Sequence, residues 1–118
     1  MRTIGKKLWL AVLFCFAPVL KMGAQDISIR VMSMNIKEGA SYAGNASQPY
    51  AQIIKEYNPD FVCLQEVDYK TERNGKIDWL NEVAIQTGMI PYYCKSFTYQ
   101  KGGFGTAILS KYPFFKAQ

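Results

Sequence analysis

Histidine is absent from the 118 residues. That absence excludes a Ser-His-Asp triad, a Cys-His dyad and a His-ligated zinc site built from these residues. Cysteine is scarce: Cys15, Cys63 and Cys94 stand far apart, without the spacing of a zinc or redox pair. No apolar run reaches the roughly 20 residues that a membrane-spanning helix needs. The longest covers residues 8–20 and is interrupted by Pro18. Heptads, collagen-like periodicity and internal repeats are also lacking, which excludes coiled coils, triple helices and solenoids. Charge is modest, at 19% against 49% hydrophobic residues, so the chain is not of the intrinsically disordered class.

Acidic residues are missing from the first 24 positions, where Arg2, Lys6, Lys7 and Lys21 stand. The remainder carries 10 basic and 9 acidic side chains, so the net charge of +5 is an N-terminal property. It is no evidence for a DNA-binding face. A basic start, an apolar run and small Ala24 before Gln25 fit a secretory signal peptide over residues 1–24. Phe14 before Cys15 does not suit a lipoprotein. The expectation is export, periplasmic or secreted, with residues 25–118 mature and no stable membrane span after cleavage. An uncleaved anchor is the alternative. Export permits a Cys63–Cys94 disulfide, but both cysteines sit in apolar stretches where a free thiol behaves as a small hydrophobe.

Ile27, Ile29 and Val31 alternate with polar residues, and the phase then changes to Met32, Met34 and Ile36. This predicts a strand covered on both faces. Ser47 stands as an N-cap, Pro49 falls in the first turn, and Tyr50, Ile53, Ile54 and Tyr57 form one buried helical stripe. Asn58-Pro59 stops that helix. Residues 61–64 read as a second buried strand, which makes a parallel strand–helix–strand crossover. A charged loop over residues 68–76 follows. Asp78 then caps a short helix with Trp79, Leu80, Val83 and Ala84 inward and Gly88 at its end. Residues 91–99 and 104–110 read as strands joined at Lys101-Gly102-Gly103. Phe114 and Phe115 then await a covering element, and two helices leave one sheet face thinly layered. The expectation is the first part of a larger α/β domain.

Asn35 ends the first strand and Glu66 follows the second, at the sheet edge where open α/β folds place ligands. A carboxylate reached after four apolar residues must be paired, protonated or bound to a cation. Mg²⁺ suits it, needing one or two protein carboxylates with waters and phosphate oxygens completing the shell. The Asn35 amide can hold Glu66 or a phosphate oxygen without adding charge.

Three segments, Met34-Asn35-Ile36, Pro59-Asp60-Phe-Val-Cys-Leu-Gln65-Glu66 and Gly105-Thr-Ala-Ile-Leu-Ser110-Lys-Tyr-Pro113, together resemble the endonuclease/exonuclease/phosphatase superfamily in order and spacing. That group includes deoxyribonuclease, abasic-site endonucleases, inositol-polyphosphate 5-phosphatases and neutral sphingomyelinases. The resemblance covers essentially the whole mature chain. It implies the N-terminal portion of a deoxyribonuclease-like four-layer α/β sandwich with mixed sheets. It also implies hydrolysis of a phosphoester (nucleic acid, lipid head group or small phosphodiester) with Mg²⁺ or Mn²⁺, and no protein partner. By the same resemblance Glu66 is the metal ligand, Asn35 supports the metal and the scissile phosphate, and Arg73 approaches a substrate phosphate with its guanidinium fork. The family's Asp-x-Asn and Ser-Asp-His segments have no counterpart here, so these residues alone are expected to be inactive.

Each residue also has a plainer role. Asn35 can cap a turn, and Glu66 can pair with Arg73 or Lys70. Asp68 reads as a loop residue and Arg73 as a solvated loop charge. Gly102-Gly103-Phe104-Gly105 leads into a strand, so no helix N-terminus awaits a phosphate and a hairpin turn is expected. The aromatics between residues 92 and 115 read as core at strand spacing rather than as a stacking platform. The lysines look scattered. The near-balance of charge favours a small phosphodiester or lipid head group over a nucleic acid. A short exported binding module and a product that never folds stably are the competing readings.

Overall fold

A computed structural model describes residues 26–37 and 46–116. Residues 1–24, read above as a signal peptide, and nearly all of the loop after the first strand lie outside the described residues. Strands β1 (Val31–Asn35), β2 (Phe61–Tyr69), β3 (Ile90–Tyr99) and β4 (Gly102–Ser110) form one mixed sheet in the order β1-β2-β4-β3. β1 and β2 run parallel, while β4 is antiparallel to both β2 and β3. Helix α1 (Gln48–Tyr57) lies between β1 and β2 in sequence, and α2 (Trp79–Thr87) between β2 and β3.

Both helices bury their apolar sides on one sheet face. Val62, Leu64, Val67, Ala107 and Leu109 meet Ala51, Ile54, Trp79, Leu80, Val83 and Ala84 there. Tyr50 sets its ring edge-on to Trp79 at 5.1 Å. Ser47 occupies the cap position of α1 but makes no capping hydrogen bond. Its hydroxyl instead donates to Glu82 at 2.9 Å and accepts from Gln86 Nε2 at 2.7 Å, fastening α1 to α2. The signals for α2 hold as read: Asp78 accepts the Asn81 N–H at 3.2 Å, and Gly88 closes the helix at φ 71°.

Two burial expectations are corrected: the double-sided cover of β1 and the four-residue buried stripe of α1. β1 begins only at Val31; Val31, Ser33 and Asn35 are exposed, while Met32 and Met34 pack against the core. In α1 the inward pair is Ala51 and Ile54, with Ile53 and Tyr57 exposed. Among the described residues nothing covers the second sheet face, where Val31, Tyr92 and Ile108 stay open. Phe115 is 99% exposed. The disulfide is excluded as well. Cys63 lies opposite Ile108 and Cys94 opposite Thr106, so β4 separates them by about 9–10 Å of strand spacing. That exceeds disulfide reach, and both thiols are free.

The hairpin turn falls one position earlier than its glycines suggest. Gln100 and Lys101 take the left-handed turn positions (φ 44° and 60°), with Tyr99 paired to Gly102. The glycines serve close approach instead. Gly105 pairs with both Val67 and Lys95, where β2 and β3 each break register against β4. A Cβ at Gly105 would run into the Cys94 carbonyl oxygen and come within 3.0 Å of Lys95 Cα. Backbone atoms cannot swing aside as a side chain does. Gly105→Ala is therefore expected to cost about 3 kcal/mol, the upper part of the overpacking range, as read by urea denaturation.

Asp60 of the Pro-Asp pair is a structural fastener. Its carboxylate accepts the Arg30 N–H at 2.8 Å and the Tyr112 hydroxyl at 3.2 Å, with Lys111 Nζ at 3.7 Å. The Arg30 N–H above all holds its carboxyl below the ordinary 3.8; burial, the next largest effect, opposes it, and Tyr112 and then Lys111 add to the lowering. The fold thus favours the ionised form. Its contribution is complete above the unfolded carboxylate range and is lost as pH falls through the lower folded value. Thermal melting followed from neutral pH into acid is expected to fall more steeply for the native chain than for Asp60→Asn.

Candidate functional site

The parallel pairing of β1 and β2 sets Asn35 opposite Gln65, at the C-terminal end of both strands. The next residue, Glu66, sits in a bulge. β2 places two residues, Gln65 and Glu66, between Leu64 and Val67 where β4 places one, Thr106, between Ala107 and Gly105. Glu66 takes φ 57°, a left-handed conformation that costs a non-glycine residue energy and is found at bulges and functional sites. The bulge has a geometric result. Leu64 and Val67 both face the helix-covered core, and Gln65 and Glu66 both turn to the open face. Gln65 there donates to Ser33 Oγ at 3.2 Å.

Asn35 Nδ2 donates to Glu66 Oε1 at 2.8 Å, and Asn35 Oδ1 accepts the Lys37 N–H at 2.9 Å. The amide is thereby fixed at both ends and holds the carboxylate in place. Among the described residues no group of three or more His, Cys, Asp or Glu side chains gathers to bind a metal. The donor set nevertheless fits Mg²⁺, a hard cation that takes one or two protein carboxylates and completes its shell with water and phosphate oxygens. Glu66 would hold it, with Asn35 as the outer support.

The plain reading of Glu66 as the partner of Arg73 is overturned. Arg73 pairs with Asp68, through Nε at 2.7 Å and a second guanidinium nitrogen at 2.9 Å. Asp68 is no loop residue: it belongs to β2 and its side chain is fully buried. Thr71 adds a third hydrogen bond at 2.7 Å. The sequence carried a signal for this network, since Asp68 follows the apolar run at the same two-residue period as Glu66. Arg73, in the turn after β2, is thus held to Asp68, two residues beyond Glu66 in the chain, with its guanidinium 4.7 Å from the Tyr99 ring and 5.7 Å from that of Phe104.

Two expectations about surfaces also change. Phe97, Tyr99 and Phe104 are not core; Phe97 is 51% exposed, and with Arg73 these residues line a cavity of about 210 Å³. The lysines that look scattered are partly gathered by the hairpin. Lys70, Lys95 and Lys101 line a second cavity of about 490 Å³ with Tyr69 and Tyr93. Burial, then the charge of Asp68, pushes the Tyr93 phenol up to about 12. In a spectrophotometric titration Tyr93 is expected to ionise well after an ordinary phenol.

No helix among the described residues is long and apolar enough to cross a membrane. No solved structure matches the chain. A protein of Wolbachia sp. subsp. Brugia malayi (strain TRS) named triosephosphate isomerase is 33% identical over 69 residues. That stretch is 58% of this chain but only 28% of the other protein's length. The name is not carried over, because β4 runs antiparallel to both neighbours and isomerase barrels are wholly parallel. The sequence pattern of the Endonuclease/Exonuclease/phosphatase family matches residues 32–118, from within β1 through all four strands. That span takes in the Asn35–Glu66 pair and the segment of residues 105–113 alike, and the chain belongs to the endonuclease/exonuclease/phosphatase family of phosphoester hydrolases.

Proposed function

We propose that this chain forms the cation- and phosphate-binding corner of an exported, Mg²⁺-dependent phosphoester hydrolase, with Mn²⁺ as a substitute ion. The observation that carries the reading is the 2.8 Å hydrogen bond from Asn35 to Glu66 across two parallel strand ends. Glu66 holds the cation, and Asn35 fixes the carboxylate and orients the phosphate or a water beside it. Arg73, fixed by Asp68, adds a cationic plane near the phosphate. A bound Mg²⁺ would neutralise phosphate charge and polarise the phosphorus–oxygen bonds toward attack by water. Export rests on the basic and apolar N-terminal pattern.

Turnover needs proton-transfer and further ligand groups that these residues do not supply. Cation-dependent phosphate binding without hydrolysis is therefore the expected behaviour of the 118 residues. Titration with inorganic phosphate, followed by calorimetry with and without Mg²⁺, tests this. Heat of binding is expected only when Mg²⁺ is present. Equal binding in its absence would place the phosphate on the lysine cavity and overturn the assignment to Glu66.

A further inference from the structure

We propose that the cavity lined by Arg73, Phe97, Tyr99 and Phe104 is a subsite for a flat ring carried by the phosphoester, an aryl or heteroaromatic group rather than a quaternary ammonium. The inference rests on the phosphoester reading above and names what the rest of the substrate is.

Three observations carry it. First, the cavity shares the open sheet face with the phosphate corner. Asp68 pairs with Phe104 in the ladder and lies two residues beyond Glu66 on β2, about 7 Å along the strand. Second, its walls are flat and held. Asp68 grips the Arg73 guanidinium through two hydrogen bonds, Phe97 and Phe104 lie 5.2 Å apart, and Phe97 meets Tyr99 edge-on at 6.4 Å. Third, its volume of about 210 Å³ is below the roughly 300–1,000 Å³ of pockets that enclose drug-sized ligands, and suits one small ring system.

The chemistry selects among occupants. A quaternary ammonium binds the negative faces of an aromatic cage. Here a guanidinium already lies by the Tyr99 and Phe104 rings, and its positive charge opposes a second cation beside it while leaving a neutral flat ring free to stack. A flat ring stacks on guanidinium and phenyl planes alike, whatever its substituents. Exposed aromatic side chains clustered at the rim of a binding corner are also a cost in water unless something covers them.

The test measures binding to the full chain in Mg²⁺ with four probes: methyl phosphate, phenyl phosphate, adenosine 5′-monophosphate and phosphocholine. Phenyl phosphate, adenosine monophosphate or both are expected to bind roughly tenfold or more tightly than methyl phosphate. A lead for phenyl phosphate identifies a simple aryl group, and a lead for the nucleotide identifies a heteroaromatic one. Phe97→Ala and Tyr99→Leu, both at exposed positions, are expected to abolish the advantage and leave methyl phosphate binding unchanged. Ring phosphates no better than methyl phosphate, an advantage that survives both substitutions, or tighter binding of phosphocholine would each overturn the subsite. If methyl phosphate still binds in Mg²⁺, the phosphate corner stands without it. If no phosphate binds at all, both readings fall.

Discussion

Glu66→Gln is expected to abolish measurable divalent-cation binding, lowering Mn²⁺ affinity by more than about a hundredfold. Losing an outer partner of a ligand costs roughly ten- to a hundredfold, and Glu66 is the ligand itself. Glutamine keeps the size and the hydrogen bond from Asn35, so the bulge and the sheet register should persist. Manganese electron paramagnetic resonance reads free ion directly and checks the result on the full chain. Asn35→Ala is the graded companion. It removes the 2.8 Å hydrogen bond but leaves the charge, so about a tenfold loss is expected. Equal Mn²⁺ binding by the native chain and Glu66→Gln would exclude Glu66 as the ligand. Thermal melting of the two proteins should agree closely, since Gln replaces a partly exposed carboxylate.

The second large effect is on stability. Arg73→Ala is expected to destabilise the chain by about 3 kcal/mol, the low end of what breaking a buried pair costs. The Asp68 side chain is fully buried and Arg73 is 29% exposed, so the carboxylate is the group left stranded. Thr71 would remain as its side-chain donor, too little for an ionised oxygen pair. Arg73→Lys should fall between, because an ammonium restores the charge without the two-pronged fork. The double substitution Asp68→Ala with Arg73→Ala is expected to cost less than the two single costs added together. Urea denaturation of the native chain, Asp68→Ala, Arg73→Ala and the double variant gives the coupling. A double variant whose cost equals that sum would show that the pair contributes nothing through its partner.

Much of the fold was legible along the chain because its signals are local. Asp78 and Gly88 bracket α2, Asn58-Pro59 ends α1, and short apolar runs between such breakers mark the strands. The juxtaposition of Asn35 and Glu66 was legible for the same reason. A strand–helix–strand unit brings both strand ends to one edge, whatever the details of its loops. Where the reading failed, the deciding partner was remote in sequence. Ile53 and Tyr57 fit a helical stripe but face solvent, and a period cannot say how wide a covering layer is. Phe97 and Phe104 alternate as core residues do, yet the face they share is bare among the described residues.

Local signals along the chain were enough for the element order, the parallel crossover, the apolar set that α2 buries, and the arrival of an asparagine and a carboxylate at one sheet edge. Each follows from propensity, capping and period, which act over a few residues. Tertiary structure alone decided which side of the sheet Glu66 occupies, because the bulge exists only against β4, about 40 residues downstream. It also decided that Asp68, not Glu66, takes Arg73, and that Cys63 and Cys94 stay apart. Side-chain partners depend on strand register and on what lies on each face, and both are set only when distant strands pair.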